Sequence, residues 1–311
     1  MPGTTTTTQF STVTPREVDF VTQFNLQWDA LTALLGIMKP IRKAPGTRLI
    51  SYEAKMVDDN LQGGASVGEG EEIPYTQFNV EPKAYGDITI EKYAKSVSVE
   101  SVAKYGAEIA VQKTDDKFRV ELQNNVLDKF YTFLKTGSLK GTQKTWQRAL
   151  SIAKGAVIDR FAALNLTITD VVGFANIMDL YDYLGDKEIT IQTTFGIQYV
   201  KDFLGYSTLF LLPDRYIPSK TVIALPVENI DLYYIDPSDS DFAKLGLAYR
   251  VAGETNLIGY HAEGDYSRAA GDCYAIMGMT LWAEYLDGIA VVTVGTSNTN
   301  PTVSAASGDG T

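Results

Sequence analysis

Histidine and cysteine carry much of the nucleophilic, acid–base and transition-metal chemistry open to side chains, and this chain has one of each, His261 and Cys273. That excludes a zinc finger, a three-histidine site and an intrachain disulfide. Any Ser–His–Asp or Cys–His relay would have to pass through His261. His261 ends an apolar run, with Glu263 and Asp265 just beyond it, the residue types of a general base and its acidic neighbours. The same pattern suits a histidine packed or hydrogen-bonded at a strand end, and we adopt that reading. Cys273 lies between Asp272 and Tyr274 with no basic neighbour in sequence to stabilise a thiolate, so it is read as buried and structural. Asp236, Asp239 and Asp241 cluster as calcium ligands do, but Pro237 and the missing glycine break the EF-hand spacing; a solvated acidic turn is expected. Gly68-Glu69-Gly70 begins like a dinucleotide fingerprint, yet Ile73 holds the third glycine position, no helix follows, and the glutamates would repel a pyrophosphate. Carboxylate-only hydrolysis has 38 acids to draw on, but no spacing singles out a pair. The expectation is a protein without catalytic residues, cofactor or metal.

The elements that would position such groups follow from periodicity and breakers. Residues 1–18 are rich in Thr, Ser and Pro and read as a mobile arm. Over 18–38, Phe20, Phe24, Trp28, Leu31 and Leu35 recur at helical spacing, with Pro40 as the stop. Residues 47–56 and 73–80 read as two extended arms. Between them, residues 61–72 hold four glycines and three glutamates, a composition that neither packs a core nor holds a helix. Residues 88–99 are again extended, and a change of phase predicts a bulge or bend there. A long helix is predicted over 107–136, with a stripe of Phe118, Leu122, Val126, Phe130 and Leu134. Thr114-Asp115-Asp116 is read as an internal N-cap and Gly137 as the stop. An α/β block follows, with helices at 143–164, 176–184 and 197–204 and strands at 167–175, 207–212 and 221–225. β signals dominate afterwards, at 231–235, 247–251, 257–261, 273–280 and 289–294. The stretch from Gly295 reads as a disordered tail.

A length of 311 residues suits about two domains. The net charge of −11 argues against duplex nucleic acid as a direct ligand, because that affinity comes from Lys and Arg on phosphates. Eight of the eleven excess negative charges fall in residues 201–311. The start of the chain lacks the basic and apolar regions of a signal peptide, and no apolar run approaches the roughly 20 residues that span a bilayer. Synthesis in a reducing cytoplasm without membrane contact is expected.

The order of mobile arm, glycine- and acid-tipped double arm, long helix, α/β block and β-rich return resembles the major capsid proteins of tailed bacteriophages with the Hong Kong 97-like fold, an α+β class. Within that family it resembles those of phages of Gram-positive bacteria. The residues that carry the resemblance are Asp19-Phe20-Val21-Thr22-Gln23-Phe24, Val67-Gly68-Glu69-Gly70-Glu71-Glu72-Ile73-Pro74 and Asp128-Lys129-Phe130-Tyr131-Thr132-Phe133-Leu134. Phe174-Ala175-Asn176, Ile191-Gln192-Thr193-Thr194-Phe195-Gly196 and Ala224-Leu225-Pro226-Val227-Glu228-Asn229 continue the series in order. The resemblance implies an N-terminal arm (1–46), an extended E-loop (47–98), a P-domain spine-helix region (99–142) and an A-domain (143–228). A return sheet of the P-domain (229–294) and a disordered tail (295–311) would complete the chain. It implies Gly64, Gly68, Glu69, Glu71 and Glu72 at an intersubunit E-loop tip, and the Phe118 to Leu134 stripe packing the spine. Pentamers and hexamers would close an icosahedral shell around double-stranded DNA that the wall does not bind specifically. A portal and a separate scaffolding protein would be partners, the latter because barely twenty residues precede the first helix. The protein would be assembled in the bacterial host cytoplasm and reside in the virion. An encapsulin-type nanocompartment shares this fold, and a carboxylate-dependent hydrolase is the alternative of a different class. Some family members join an E-loop lysine to a neighbour's asparagine; Lys55, Lys83 and Asn256 are of the right types, but their local motifs do not match.

Overall fold

The computed structural model describes residues 16–17, 19–24, 38–57, 77–168, 170–185, 191–194, 197–227, 229–251 and 256–303. Two sheets share one helix between them, and a two-stranded ribbon stands apart from both.

The first sheet is built on its longest strand, β13 (Ala270–Ala283). The first part of β13 is flanked by β12 (Ile258–Asp265) and β4 (Ile90–Ser98), and its end pairs with β11 (Ile230–Ile235), all antiparallel. Strand β1 (Met38–Lys43) joins the other side of β11 in parallel. Pro40, read from sequence as a helix stop, is thus inside a strand; β1 is an edge strand, where a missing N–H is tolerated. The β4–β13 register runs unbroken from Ile90 to Ser98, so the bulge expected over 88–99 is not there.

The second sheet has eight strands in the order β15 (Thr299–Val303), β5 (Leu139–Gln143), β14 (Ala290–Val294), β10 (Thr221–Pro226), β6 (Val171–Asn176), β9 (Tyr206–Leu212), β8 (Ile197–Phe203) and β7 (Gln192–Thr194). β6 is buried throughout, because both faces are covered. Its Val172 and Phe174 belong to one core and its Val171 and Ala175 to the other, the period-two alternation of a strand. Four sequence expectations change here. Residues 197–204 form β8 and its turn instead of a helix. Leu204 and Gly205 both take positive φ (51° and 80°), and Phe203 pairs with Tyr206, a tight two-residue hairpin. β14, expected in the return sheet, pairs with β10 and β5. The tail contributes β15, which pairs with β5, so it is not disordered over 299–303. Residues 247–251 form no strand, only a bridge from Arg250 to Tyr260.

The helices of the described residues include α1 (Val99–Tyr105), α2 (Lys113–Leu134), α3 (Trp146–Ala163), α4 (Ile177–Leu184) and α5 (Ser240–Ala243). A π-helical turn, Glu108–Gln112, runs straight into α2. Thr114 therefore does not cap; its hydroxyl donates to the Ala110 carbonyl at 2.7 Å, back-bonding within the helix. α2 ends three residues before Gly137, whose lack of a side chain serves a close approach instead: a Cβ there would meet the Ile289 backbone oxygen at 2.6 Å. α3 starts at an N-cap on Thr145, and Asn176 caps α4 by accepting from the Met178 amide at 2.9 Å.

Candidate assembly surface

The feature without a core of its own is the ribbon. Among the described residues, β2 (Arg48–Met56) and β3 (Phe78–Asp87) pair with each other and with no other strand. The second arm thus runs to Asp87, past the expected end at residue 80, because Pro82 and Gly86 are tolerated where both strands are edges. The register sets Ile50, Tyr52, Ala54 and Met56 opposite Ala84, Pro82, Val80 and Phe78, so all eight positions on one face are apolar or aromatic in type. The alternate positions pair Ser51 with Lys83, Glu53 with Glu81 and Lys55 with Asn79. This is an amphipathic ribbon whose described apolar side chains stand in the open among the described residues: Tyr52 is 70% exposed, Phe78 59%, Val80 56% and Ile50 46%. An isolated two-stranded ribbon is marginal in water, and an exposed row of large apolar groups marks a contact surface. The root is fixed by a small cluster of Leu49, Ile88 and Ile235 against Ile90, Tyr233 and Phe242. A bulge between Leu49 and Ile50 increases the twist where the ribbon leaves the body. The tip residues Gly64, Gly68, Glu69, Glu71 and Glu72, together with the Gly68-Glu69-Gly70 motif, lie outside the described residues.

The ribbon is presented by a body that α2 holds together. Leu122, Val126, Phe130 and Leu134 are buried and Phe118 is partly so, with Tyr131 buried beside them. Tyr131 meets Phe174 of β6 at 6.0 Å and Tyr216 at 4.8 Å between ring centroids. Polar ties reach both sheets from the same helix. Lys129 pairs with Glu91 of β4 at 2.5 Å, and Asn125 donates to Tyr93. On the side of the second sheet, Arg215 pairs with Asp128 at 2.6 Å and the Tyr216 hydroxyl donates to Asn124 at 3.3 Å. Burial raises the Glu91 carboxyl, but the hydrogen bonds from Lys129 and Tyr93 outweigh it and hold the group below its ordinary range.

The residues that anchor the start of the described chain were not legible from spacing. The mobile arm expected over residues 1–18 does not extend to Arg16 and Glu17, both of which are docked. Arg16 donates to Asp115 of α2 at 2.5 and 2.7 Å, and Lys95 of β4 pairs with the same carboxylate. Glu17 is 6% exposed and accepts from the Ala262 amide at 2.7 Å. Phe20 stacks on Tyr260 at 4.1 Å. These partners lie about a hundred residues or more apart in sequence, so no local pattern could join them.

The residues singled out for chemistry have structural surroundings. His261 is within β12, its Nδ1 3.3 Å from Glu17 and its Nε2 3.7 Å from Glu263. Cys273 is fully buried, as expected, and a basic group distant in sequence reaches it, with Arg16 Nη2 3.0 Å from its sulfur. Burial still dominates and pushes the thiol up, against the Tyr260 and Arg16 contacts that lower it. Asp236 is not in a solvated turn. It is 2% exposed and accepts from the Ser238 amide and hydroxyl at 2.9 and 2.6 Å and from Asn256 at 2.9 Å. These bonds, with Arg42 3.4 Å away, hold its carboxyl below the ordinary range even though burial acts the other way. Among the described residues no three His, Cys, Asp or Glu side chains are grouped to hold a metal ion.

No protein-family model matches the chain, and no curated protein sequence matches it. Solved structures do. The capsid asymmetric unit of cyanophage A-1(L) is similar over 85% of this chain and 92% of its own, with 13% identity and a TM-score of 0.52. A Mycobacterium phage Patience structure is similar over 92% of this chain and 88% of its own, with 10% identity and a TM-score of 0.50. This chain has the Hong Kong 97-like capsid fold. The SrpI encapsulin of Synechococcus elongatus is also similar, with 13% identity, 96% of each chain covered and a TM-score of 0.49. The Hong Kong 97-like neighbours come from a mycobacterium phage and a cyanophage alike, so the fold does not single out phages of Gram-positive bacteria.

Proposed function

We propose that this protein is a bacteriophage major capsid protein that self-assembles through pentamers and hexamers into an icosahedral shell enclosing double-stranded DNA. The observation that carries the reading is the uncovered apolar face of the β2–β3 ribbon. Burying one large apolar side chain stabilises by about 2 kcal/mol, and a neighbouring subunit is the surface that a repeating shell supplies to every ribbon. The fold shared with phage capsid structures supports it. The acidic balance supports an enclosing wall that does not grip its contents. The role is structural, with no chemical step, cofactor or metal. Residence in the virion, synthesis in the host cytoplasm, and a portal and a separate scaffolding protein as partners belong to the same proposal. No helix among the described residues is long and apolar enough to cross a membrane.

Negative-stain microscopy of the expressed chain and of its native source tests this. Closed shells from the expressed chain, and DNA-filled shells in the source, are expected. A small protein-filled cage would replace the capsid by a nanocompartment, and a discrete small species at every concentration would overturn the shell altogether.

A further inference from the structure

The eight-stranded sheet ends on a strand that belongs to neither core. In β15, Thr299, Asn300, Thr302 and Val303 are exposed and only Pro301 is partly covered. Its seat is made by the strand it lies on. Gly141 of β5 leaves room for its backbone, since a Cβ there would stand 2.8 Å from the Pro301 nitrogen and from the Thr299 oxygen. Gln143 is fully buried, and its Nε2 donates to the Thr299 carbonyl at 3.1 Å and to Asn300 Oδ1 at 3.4 Å. Arg148 fixes the orientation of that amide by donating from Nε to Gln143 Oε1 at 2.8 Å. The Lys144 amide donates to Asn298 Oδ1 at 3.1 Å. A buried, pre-oriented amide aimed at the main chain of an extended segment is the device of strand-addition sites, where backbone pairing gives affinity and a few side-chain contacts give specificity.

We propose that the edge of β5 is a strand-accepting groove for an extended Asn-Thr-Asn-Pro-Thr segment, and that residues 298–303 of a second copy of this chain occupy it by exchange. Two observations favour a second copy over an unrelated peptide. The groove reads Asn298 and Asn300, which every copy carries, and the segment leaves without opening either core. The connection from β14 is the short, exposed run Gly295-Thr296-Ser297-Asn298, and exchange of an identical element across a short hinge is a low-cost route to association. In its own chain the segment competes at an effective concentration on the order of millimolar, so exchange is suppressed when copies are dilute. The groove does not depend on a closed shell and is measured on the unassembled chain.

A fluorescent peptide of residues 296–303 is titrated against the purified full-length chain and against Asn298→Ala/Asn300→Ala. The variant holds its own segment less firmly and is expected to take the peptide on the order of ten-fold more tightly than the parent. Gly141→Val in that background is expected to abolish binding. Because Gly141→Val adds bulk to β5 itself, Gln143→Ala, which only removes a contact, is expected to weaken binding in the same direction. Energy transfer between differently labelled full-length copies is then expected at high concentration and to fall when peptide is added. Equal binding by parent and double-asparagine variant, or binding that survives both groove substitutions, overturns the groove. Peptide binding without peptide-sensitive association of the copies overturns the exchange.

Discussion

Asp115 is the residue on which the start of the described chain, β4 and α2 converge. Its carboxylate takes both Arg16 and Lys95, with the Asp115 and Lys95 side chains each 13% exposed. Burial raises the carboxyl, and the hydrogen bonds from Arg16 and Lys95 more than reverse this, holding it below the ordinary value near 4. Its contribution to stability is therefore complete above that range and is lost as the pH falls through the lowered value. Asp115→Asn leaves two cations without a countercharge, and a loss of about 3 kcal/mol at neutral pH is expected. Urea unfolding at pH 7 and across the acid limb checks both parts, since the two proteins must converge in stability where the wild-type carboxyl is protonated. Gly137 makes a second claim at this scale. A methyl at residue 137 meets the backbone of Ile289, which cannot turn away as a side chain can. Gly137→Ala is expected to cost about 1–3 kcal/mol, read as a lower urea midpoint at unchanged slope.

Among the elements, the ribbon makes the sharpest prediction because it is separable from the body's energetics. Tyr52 and Val80 share its apolar face and belong to neither main core. Tyr52→Glu with Val80→Glu is expected to leave the chain's unfolding midpoint within about 0.5 kcal/mol of wild type while abolishing assembly. Sedimentation velocity beside denaturant unfolding separates the two readouts, and shells from the double variant would remove the ribbon from the interface. The elements also show which signals were legible in the sequence. α2 was, because Leu122, Val126, Phe130 and Leu134 are four apart and all face one core. The two-arm character of the ribbon was legible from glycine and alternation, but its register and the purity of its apolar face needed the pairing itself. β8 was misread because Ile197, Val200 and Leu204 also satisfy a three-to-four spacing, and only pairing with β9 decides between the two periods. β5 and β15 escaped notice because they are short and largely polar; their places are set by neighbours far away in sequence. The anchors Arg16 and Asp115 were invisible for the same reason.

At the scale of the whole molecule, the charge and the shape make one argument. α2 ties both sheets into a single unit, through Glu91 and Tyr93 on one side and Arg215 and Tyr216 on the other. The ribbon extends from that unit with its apolar face uncovered. On the proposed function, a subunit so built would adhere to copies of itself while its net charge of −11 repels a polyanion. Three cations that the described structure places around α2 are already committed: Lys95 to Asp115, Lys129 to Glu91 and Arg215 to Asp128. Affinity for duplex DNA grows with each phosphate neutralised, and each adds about −0.9 to the slope of log K against log salt. With 38 acids against 27 cations, the chain is expected to retain no labelled duplex in filter binding at about 150 mM salt and to show a slope near zero as salt is lowered. Micromolar retention with a slope of several would mean that cations outside these pairs face the DNA together. The protein would then hold its contents by contact, and the reading of the wall as a container that leaves its DNA free to move would fail.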